Sequence, residues 1–324
     1  MNVTSIDIPI IDFQPFINGN ADEKKAVAKQ IYDACHKIGF MYLKNLGVSS
    51  KLRSKMFHLS QHFFNLPQSV KNQIPWDELS NRGYAAIARE RLTENKPGDL
   101  KEAFNLGMED VDLEEGSSSE PAKENLFKRT NKWPPGEDTF RSSTLEFYQA
   151  GIEAADRLCH AFAIALNLPQ SFFLEKHNLY HHTLRLLHYP PIEISPQPEQ
   201  QRAGEHSDYG SFTLLFQDNI GGLEVKDAAG KWIAAPPIPD TVVVNIGDLM
   251  QRWTNNVFCS TKHRVRIPND DRIRRSRYSI ALFCHPNDNT QVSCLETCQS
   301  WEHPPLYAPI SAGDYLLSRL QATN

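Results

Sequence analysis

The sequence predicts a β-rich α+β protein, and three observations predict it. The first half carries helical periodicity, whereas the second half is a succession of short runs rich in β-branched and aromatic residues. The polar residues best suited to chemistry lie in or beside those runs. Several of them are two or four positions apart, which on a strand puts them on one face. Strands that all turn such residues inward are what a small closed barrel provides.

Asp22 to Gly39 places Val27, Ile31, Ala34 and Ile38 on one helical stripe. A strand is expected at 40–43. Lys51 to Leu66 repeats the helical pattern with Leu52, Met56, Leu59, Phe63 and Leu66, and Pro67 stops it. Residues 109–124 hold seven acids and three consecutive serines, the composition of a mobile solvated loop. Phe140 to Leu168 carries Leu145, Tyr148, Ile152, Ala155, Leu158, Phe162 and Leu166, a long helix suited to backing the barrel. Further strands are expected at 183–189, 212–216, 223–225, 241–246, 263–267 and 278–283, with Gly221-Gly222 turning between two of them. The basic run 272–277 reads as a solvated turn, with Arg277 alone pointing inward. The pattern leaves the strand order open.

The chain has 324 residues, 40% of them hydrophobic, ample for one large core. A net charge of −5 argues against a general nucleic-acid or anionic-membrane surface. No apolar run reaches membrane-spanning length, and the start, Met1 to Asp7, does not read as a secretion signal. The six cysteines (35, 159, 259, 284, 294, 298) are scattered, so free thiols in a reducing, cytoplasmic compartment are expected, with the nucleus left open. Oligomeric state is not legible.

The most informative pattern is His206-Ser-Asp208, then His263, then Arg277-Tyr-Ser279. Two imidazoles and one carboxylate can occupy one face of a metal and leave the other open, which suits a non-haem Fe(II) that must bind oxygen. His206 and Asp208 are i and i+2, so one short strand can present both. His263 lies 263 − 208 = 55 residues on and must be returned by another strand. Arg277 and Ser279 again share a face, and a guanidinium fork beside a hydroxyl suits the far carboxylate of a diacid. A zinc hydrolase can also use His, His and Asp with an open position, but it leaves the Arg-x-Ser pair without a task.

With Ile8-Pro-Ile-Ile-Asp-Phe13, Gly39-Phe-Met-Tyr-Leu-Lys-Asn45, Leu184-Arg-Leu-Leu-His-Tyr-Pro-Pro191 and Asn245-Ile-Gly-Asp-Leu-Met-Gln-Arg-Trp253 added, the chain resembles the isopenicillin N synthase-like family of Fe(II)/2-oxoglutarate-dependent dioxygenases along nearly its whole length. The resemblance implies a double-stranded β-helix, or jelly-roll, core backed by helices. It implies one dioxygenase domain across 1–324, with a mixed amino-terminal part (1–110) and a catalytic core (180–290). It implies Fe(II) held by His206, Asp208 and His263, with 2-oxoglutarate held by Arg277, Ser279 and an assisting Tyr189. O2 is the oxidant and ascorbate a supportive reductant, and substrate oxidation is coupled to decarboxylation of 2-oxoglutarate to succinate. A retained carboxylate at Asp208 favours hydroxylation, desaturation or a related oxidation over halogenation. Leu187 departs from many plant members, which have Asn two positions before the tyrosine. Within the family the chain resembles the fungal thymine dioxygenases and their relatives. That implies a small-molecule substrate, with a pyrimidine such as thymine one candidate, contacted by Asn81, Arg185, Tyr209 and Phe283. Two other readings stay open: an Fe(II) oxidase that does not use 2-oxoglutarate, and a catalytically silent small-molecule-binding relative.

Overall fold

The computed structural model describes residues 8–78, 80–93, 96–109, 130–193 and 195–323. The acidic segment 109–124 therefore lies outside the described residues except for Glu109, whose carboxylate accepts from Trp133 Nε1 at 2.7 Å and Arg141 at 2.9 Å. The strands are β1 (Ile10–Asp12), β2 (Phe40–Lys44), β3 (Gly83–Ala85), β4 (Glu102–Leu106), β5 (Thr183–Tyr189), β6 (Ala203–His206), β7 (Phe212–Gln217), β8 (Leu223–Lys226), β9 (Trp232–Ala234), β10 (Thr241–Ile246), β11 (His263–Val265), β12 (Arg277–Cys284), β13 (Gln291–Val292) and β14 (Ile310–Ser311). The helices are α1 (Gln14–Asn18), α2 (Ala21–Lys37), α3 (Ser50–Asn65), α4 (Gln68–Lys71), α5 (Asp138–Ala165), α6 (Asp248–Trp253) and α7 (Ala312–Thr323).

Two sheets form the body. The large one runs β1-β2-β10-β7-β12-β5-β4-β3 and the small one β6-β11-β8-β9. From β5 to β12 the chain passes back and forth between them, with β8 and β9 a hairpin within the small sheet, an order consistent with a double-stranded β-helix. The expectation of a sheet-rich core backed by helices is met. One difference from the sequence reading stands out: the first part is not simply helical. Besides β2, expected at 40–43, it contributes β1, β3 and β4, and these widen the large sheet on both edges. Those strands are short, and β4 is buried throughout, so they show little polar alternation to read.

Strand alternation separates two apolar regions. Tyr278, Ile280, Leu282 and Cys284 of β12 face the helices, as do Leu184 and Leu186 of β5 and Phe212, Leu214 and Phe216 of β7. There they meet Phe63 of α3 and Phe147, Ile152 and Phe162 of α5. Gly151 lets α5 approach closely, since a Cβ there would stand 2.9 Å from Leu282 Cδ2. Residues on the opposite face of the large sheet, such as Leu187 of β5, Val243 of β10 and Ala281 of β12, face Leu223, Val225 and Val265 of the small sheet. The helices thus seal one face of the large sheet, while its other face and the small sheet enclose an interior. Among the described residues no helix is long and apolar enough to cross a membrane.

The helix ends are fixed locally. Asn20 caps α2 by accepting from the Asp22 and Glu23 amides, and the Glu23 carboxylate accepts from the Asn20 amide in return. α2 ends at Gly39, where φ is +69° and a Cβ would collide with the Cys259 carbonyl oxygen. That turn sets Phe40, whose ring meets the His263 ring edge-on at 5.3 Å. Gly39→Ala should therefore lower stability by at least about 2 kcal/mol, from the left-handed backbone and the collision together. Urea denaturation measures it, and an unchanged midpoint would contradict the turn described.

Candidate active site

One cavity opens between the sheets, and the sequence-derived candidates line it together. His206, Asp208 and His263 each place one ligand atom within 4.8 Å of the others, the one such His/Cys/Asp/Glu grouping among the described residues. His206 ends β6 and His263 opens β11, and the two are direct cross-strand partners. Their rings lie 4.3 Å apart.

Asp208 corrects the sequence reading. It does not share a strand with His206, because β6 stops at His206. The chain then bends. The Asp248 amide donates to the Asp208 carbonyl at 2.7 Å and the Leu249 amide to the Gly210 carbonyl at 3.1 Å, so the start of α6 holds the bend. The bend brings Asp208 to the histidines and also turns Tyr209 into the cavity, where strand alternation would have sent it away.

Hydrogen bonds prepare these groups to bind a cation. The His206 Nδ1 lies 2.8 Å from the Gly204 carbonyl and the His263 Nδ1 3.1 Å from the Thr261 carbonyl. Each Nδ1 donates to its carbonyl, so each Nε2 keeps a lone pair. Those nitrogens lie 3.9 and 3.7 Å from Asp208 Oδ1. Asp208 Oδ2 is occupied, accepting from Thr213 Oγ1 at 2.6 Å and Asn245 Nδ2 at 2.7 Å. Burial, reinforced by the neighbouring His263, pushes His206 down to about 3 and keeps it neutral. Burial alone would raise Asp208, but the facing His263 and His206 imidazoles, whenever either is protonated, and the hydrogen bonds from Asn245 and Thr213 hold its carboxyl below the usual range. Two imidazole nitrogens and one ionised carboxylate oxygen, each oriented from behind, fit a divalent transition metal.

Arg277 is wholly buried and lines the same cavity. Its Nε donates to the Gly221 carbonyl at 2.8 Å, one amino group to Ser279 Oγ at 3.2 Å and the other to Gln217 Oε1 at 3.4 Å. Tyr189, its cross-strand partner, lies beneath it with the ring centroid 4.7 Å from the guanidinium carbon. No carboxylate pairs with Arg277 among the described residues. Arg202 adds a second buried guanidinium nearby, and burial, then Arg277, pulls it down to about 10. A buried, uncompensated cation of this kind suits a bound carboxylate. The rest of the basic run is exposed as expected, with Arg272 paired to Asp270.

Asn81, Arg185, Tyr209 and Phe283 line the same cavity. Leu187 lines it too, at the position where many plant relatives carry Asn. Sequence reasoning missed several residues. Thr213 and Asn245 sit on strands, and an inward polar residue within an apolar run was the available signal. Glu90 and Lys101 also line the cavity, but they lie outside the strands, where no periodicity marks an inward side chain.

Two family models match: the amino-terminal model described as non-haem dioxygenase in morphine synthesis over residues 8–136, and that of the 2OG-Fe(II) oxygenase superfamily over 180–286. The chain is 32% identical to the 2-oxoglutarate-Fe(II) type oxidoreductase ppzD of Metarhizium rileyi, over 97% of this chain and 90% of that one. The chain belongs to the 2OG-Fe(II) oxygenase superfamily. It is also 33% identical to the 2-oxoglutarate-dependent dioxygenase htyE of Aspergillus rugulosus, over 90% of this chain and 91% of that one. Among solved structures, the thymine 7-hydroxylase of Neurospora crassa in complex with alpha-KG (2-oxoglutarate) and thymine superposes with a TM-score of 0.86 at 35% identity, covering 98% of each chain. As a member of this superfamily the protein is an oxidoreductase that uses Fe(II), 2-oxoglutarate and O2.

The hydrogen bonds to Asp208 Oδ2 generate a prediction. Asn245→Ala and Thr213→Ala free that oxygen and loosen the carboxylate. Each should weaken Fe(II) or Mn(II) binding by roughly 10–100-fold, the usual effect of removing a partner that orients a metal ligand. Calorimetric titration of the metal reads the effect, and wild-type affinity in both variants would refute the orienting role.

Proposed function

We propose that the protein oxidises, most simply by hydroxylation, a small flat amide-bearing metabolite such as the pyrimidine thymine. In this reading His206, Asp208 and His263 hold Fe(II), and Arg277, Ser279 and Tyr189 hold the distal carboxylate of 2-oxoglutarate. The observation that carries it is the shared cavity: the His-Asp-His group, the buried Arg277–Ser279 pair and the Asn81, Arg185, Tyr209 and Phe283 set open on one enclosed space. Likeness to the Neurospora thymine 7-hydroxylase, crystallised with thymine, supports the pyrimidine class.

The tasks of the chain follow from its geometry. Bound Fe(II) supplies oxygen activation coupled to the decarboxylation of 2-oxoglutarate. Arg277 and Ser279 anchor the co-substrate by one end and so orient the other end toward the three ligands. Leu187, Leu215, Leu223, Val265 and Ala281 form an apolar wall that excludes water from the reacting centre. Phe283 offers a ring face to a flat substrate, and Arg185 lies beside it, its guanidinium carbon 5.8 Å from the ring centroid.

Two experiments test this reading. Arg277→Ala removes a charge-assisted, buried anchor worth on the order of 2–5 kcal/mol. The KM for 2-oxoglutarate should rise at least about tenfold with metal binding retained, and an unchanged KM would move the co-substrate elsewhere. Thymine should stimulate conversion of 2-oxoglutarate to succinate under Fe(II) and ascorbate. Phe283→Ala should weaken that response by about 1–3 kcal/mol of lost burial and stacking. No stimulation by thymine, with stimulation by another small metabolite, would overturn the pyrimidine assignment alone.

A further inference from the structure

The substrate end of the cavity contains a charge network that the reaction itself does not require. Arg185 and Asn105 are cross-strand partners on β5 and β4. Arg185 Nε donates to Asn105 Oδ1 at 2.8 Å, and its two amino groups reach the two oxygens of Glu90, at 3.2 and 2.9 Å. Glu90 comes from the loop between β3 and β4 and lines the cavity. Its second oxygen is also 3.3 Å from Lys101 Nζ, which bonds Asp99 at 2.7 Å. All four charges are largely buried. Arg185 and Lys101 contribute +2 and Glu90 and Asp99 −2, so these four groups sum to zero.

The network also fixes which atoms face a ligand. Asn105 has given its oxygen to Arg185, so its Nδ2 donates to Asn81 Oδ1 at 2.8 Å, and Trp76 Nε1 donates to the same oxygen at 2.9 Å. Asn81 thereby keeps its amide N–H donors for the cavity. Arg185 has three nitrogens engaged and retains further N–H donors, since a guanidinium carries five. The Arg185–Glu90 pair and Asn81 offer donors without net charge. Burial would raise Glu90, but Arg185 and Lys101 hold it down at about 2, so it stays ionised.

We propose that Glu90 is a specificity-determining residue: by holding Arg185 in a two-pronged ion pair it neutralises that guanidinium while leaving N–H donors free, so the cavity takes a neutral carbonyl-bearing molecule and turns away a carboxylate. This rests on the assignment of this part of the cavity to the substrate. Without Glu90 the same wall would present an uncompensated guanidinium, the usual receptor for a carboxylate.

The test compares matched neutral and acidic probes, thymine with uracil-5-carboxylate and benzamide with benzoate. Binding is titrated calorimetrically, without oxygen, with Mn(II) and 2-oxoglutarate present to fill the co-substrate end. The wild-type protein should bind the acids at least tenfold more weakly than their neutral partners. In Glu90→Gln at least one acid should gain at least tenfold, and the gain should vanish in Glu90→Gln/Arg185→Gln. Absence of any gain, or a gain that survives in the double variant, overturns the proposal. Should Glu90→Gln fail to fold by circular dichroism, Arg185→Gln reads the same balance with opposite sign. It leaves an excess negative charge, so the cation benzamidine should gain at least tenfold, and no gain overturns the proposal. Succinate release is followed separately in the wild-type protein. Its failure would sink the proposed function and leave this binding comparison standing.

Discussion

The register of β6 against β11 is the constraint on which the site depends. It makes His206 and His263 cross-strand partners, and a one-residue slip of either strand would turn its side chains to the opposite face. The small sheet is only four short strands, so its own hydrogen bonds hold that register weakly. The apolar contacts of Leu223, Val225 and Val265 with the large sheet reinforce it. Packing between the sheets is therefore what keeps two imidazoles 4.3 Å apart, a placement that burial makes tolerable by keeping His206 neutral.

The same economy governs the interior charges. A closed barrel removes its polar groups from water, so each must find a partner or await one. Asp208 is satisfied on one oxygen by Thr213 and Asn245 and left open on the other toward the histidines. Arg277 is braced by a carbonyl, a hydroxyl and an amide but by no anion among the described residues. Arg185, by contrast, is paired with Glu90. Two arginines lining one cavity are thus treated differently, one left without an anion among the described residues and the other neutralised by Glu90.

Outside the barrel the helices serve as scaffold. α5 and α3 cover the large sheet with a phenylalanine-rich layer, and the Gly39 turn after α2 delivers Phe40 against His263. The carboxy-terminal helix α7 reaches back to the cavity through Leu320, so residues from both ends of the chain converge on the site.

The sequence by itself picked out the residues that gather in the cavity and most of the elements. His206, Asp208, His263, Arg277 and Ser279 stood out because few tasks require those side chains at those offsets, and the long amphipathic helices and β12 stood out because one face of each is continuously apolar. Tertiary structure alone decided three things. It set the strand order, since an alternating pattern says which face is inward but not which strand is adjacent. It set the bend at Ser207–Gly210, which rests on hydrogen bonds from α6, some forty residues away, and which put Asp208 and Tyr209 off the strand that local periodicity assigned them. And it set the charge balance around Arg185, because Glu90 and Lys101 lie outside the strands and become inward-facing only where the loop between β3 and β4 closes over the barrel. Periodicity encodes faces, whereas pairing between distant segments is fixed only when burial makes an unpaired charge too costly to leave.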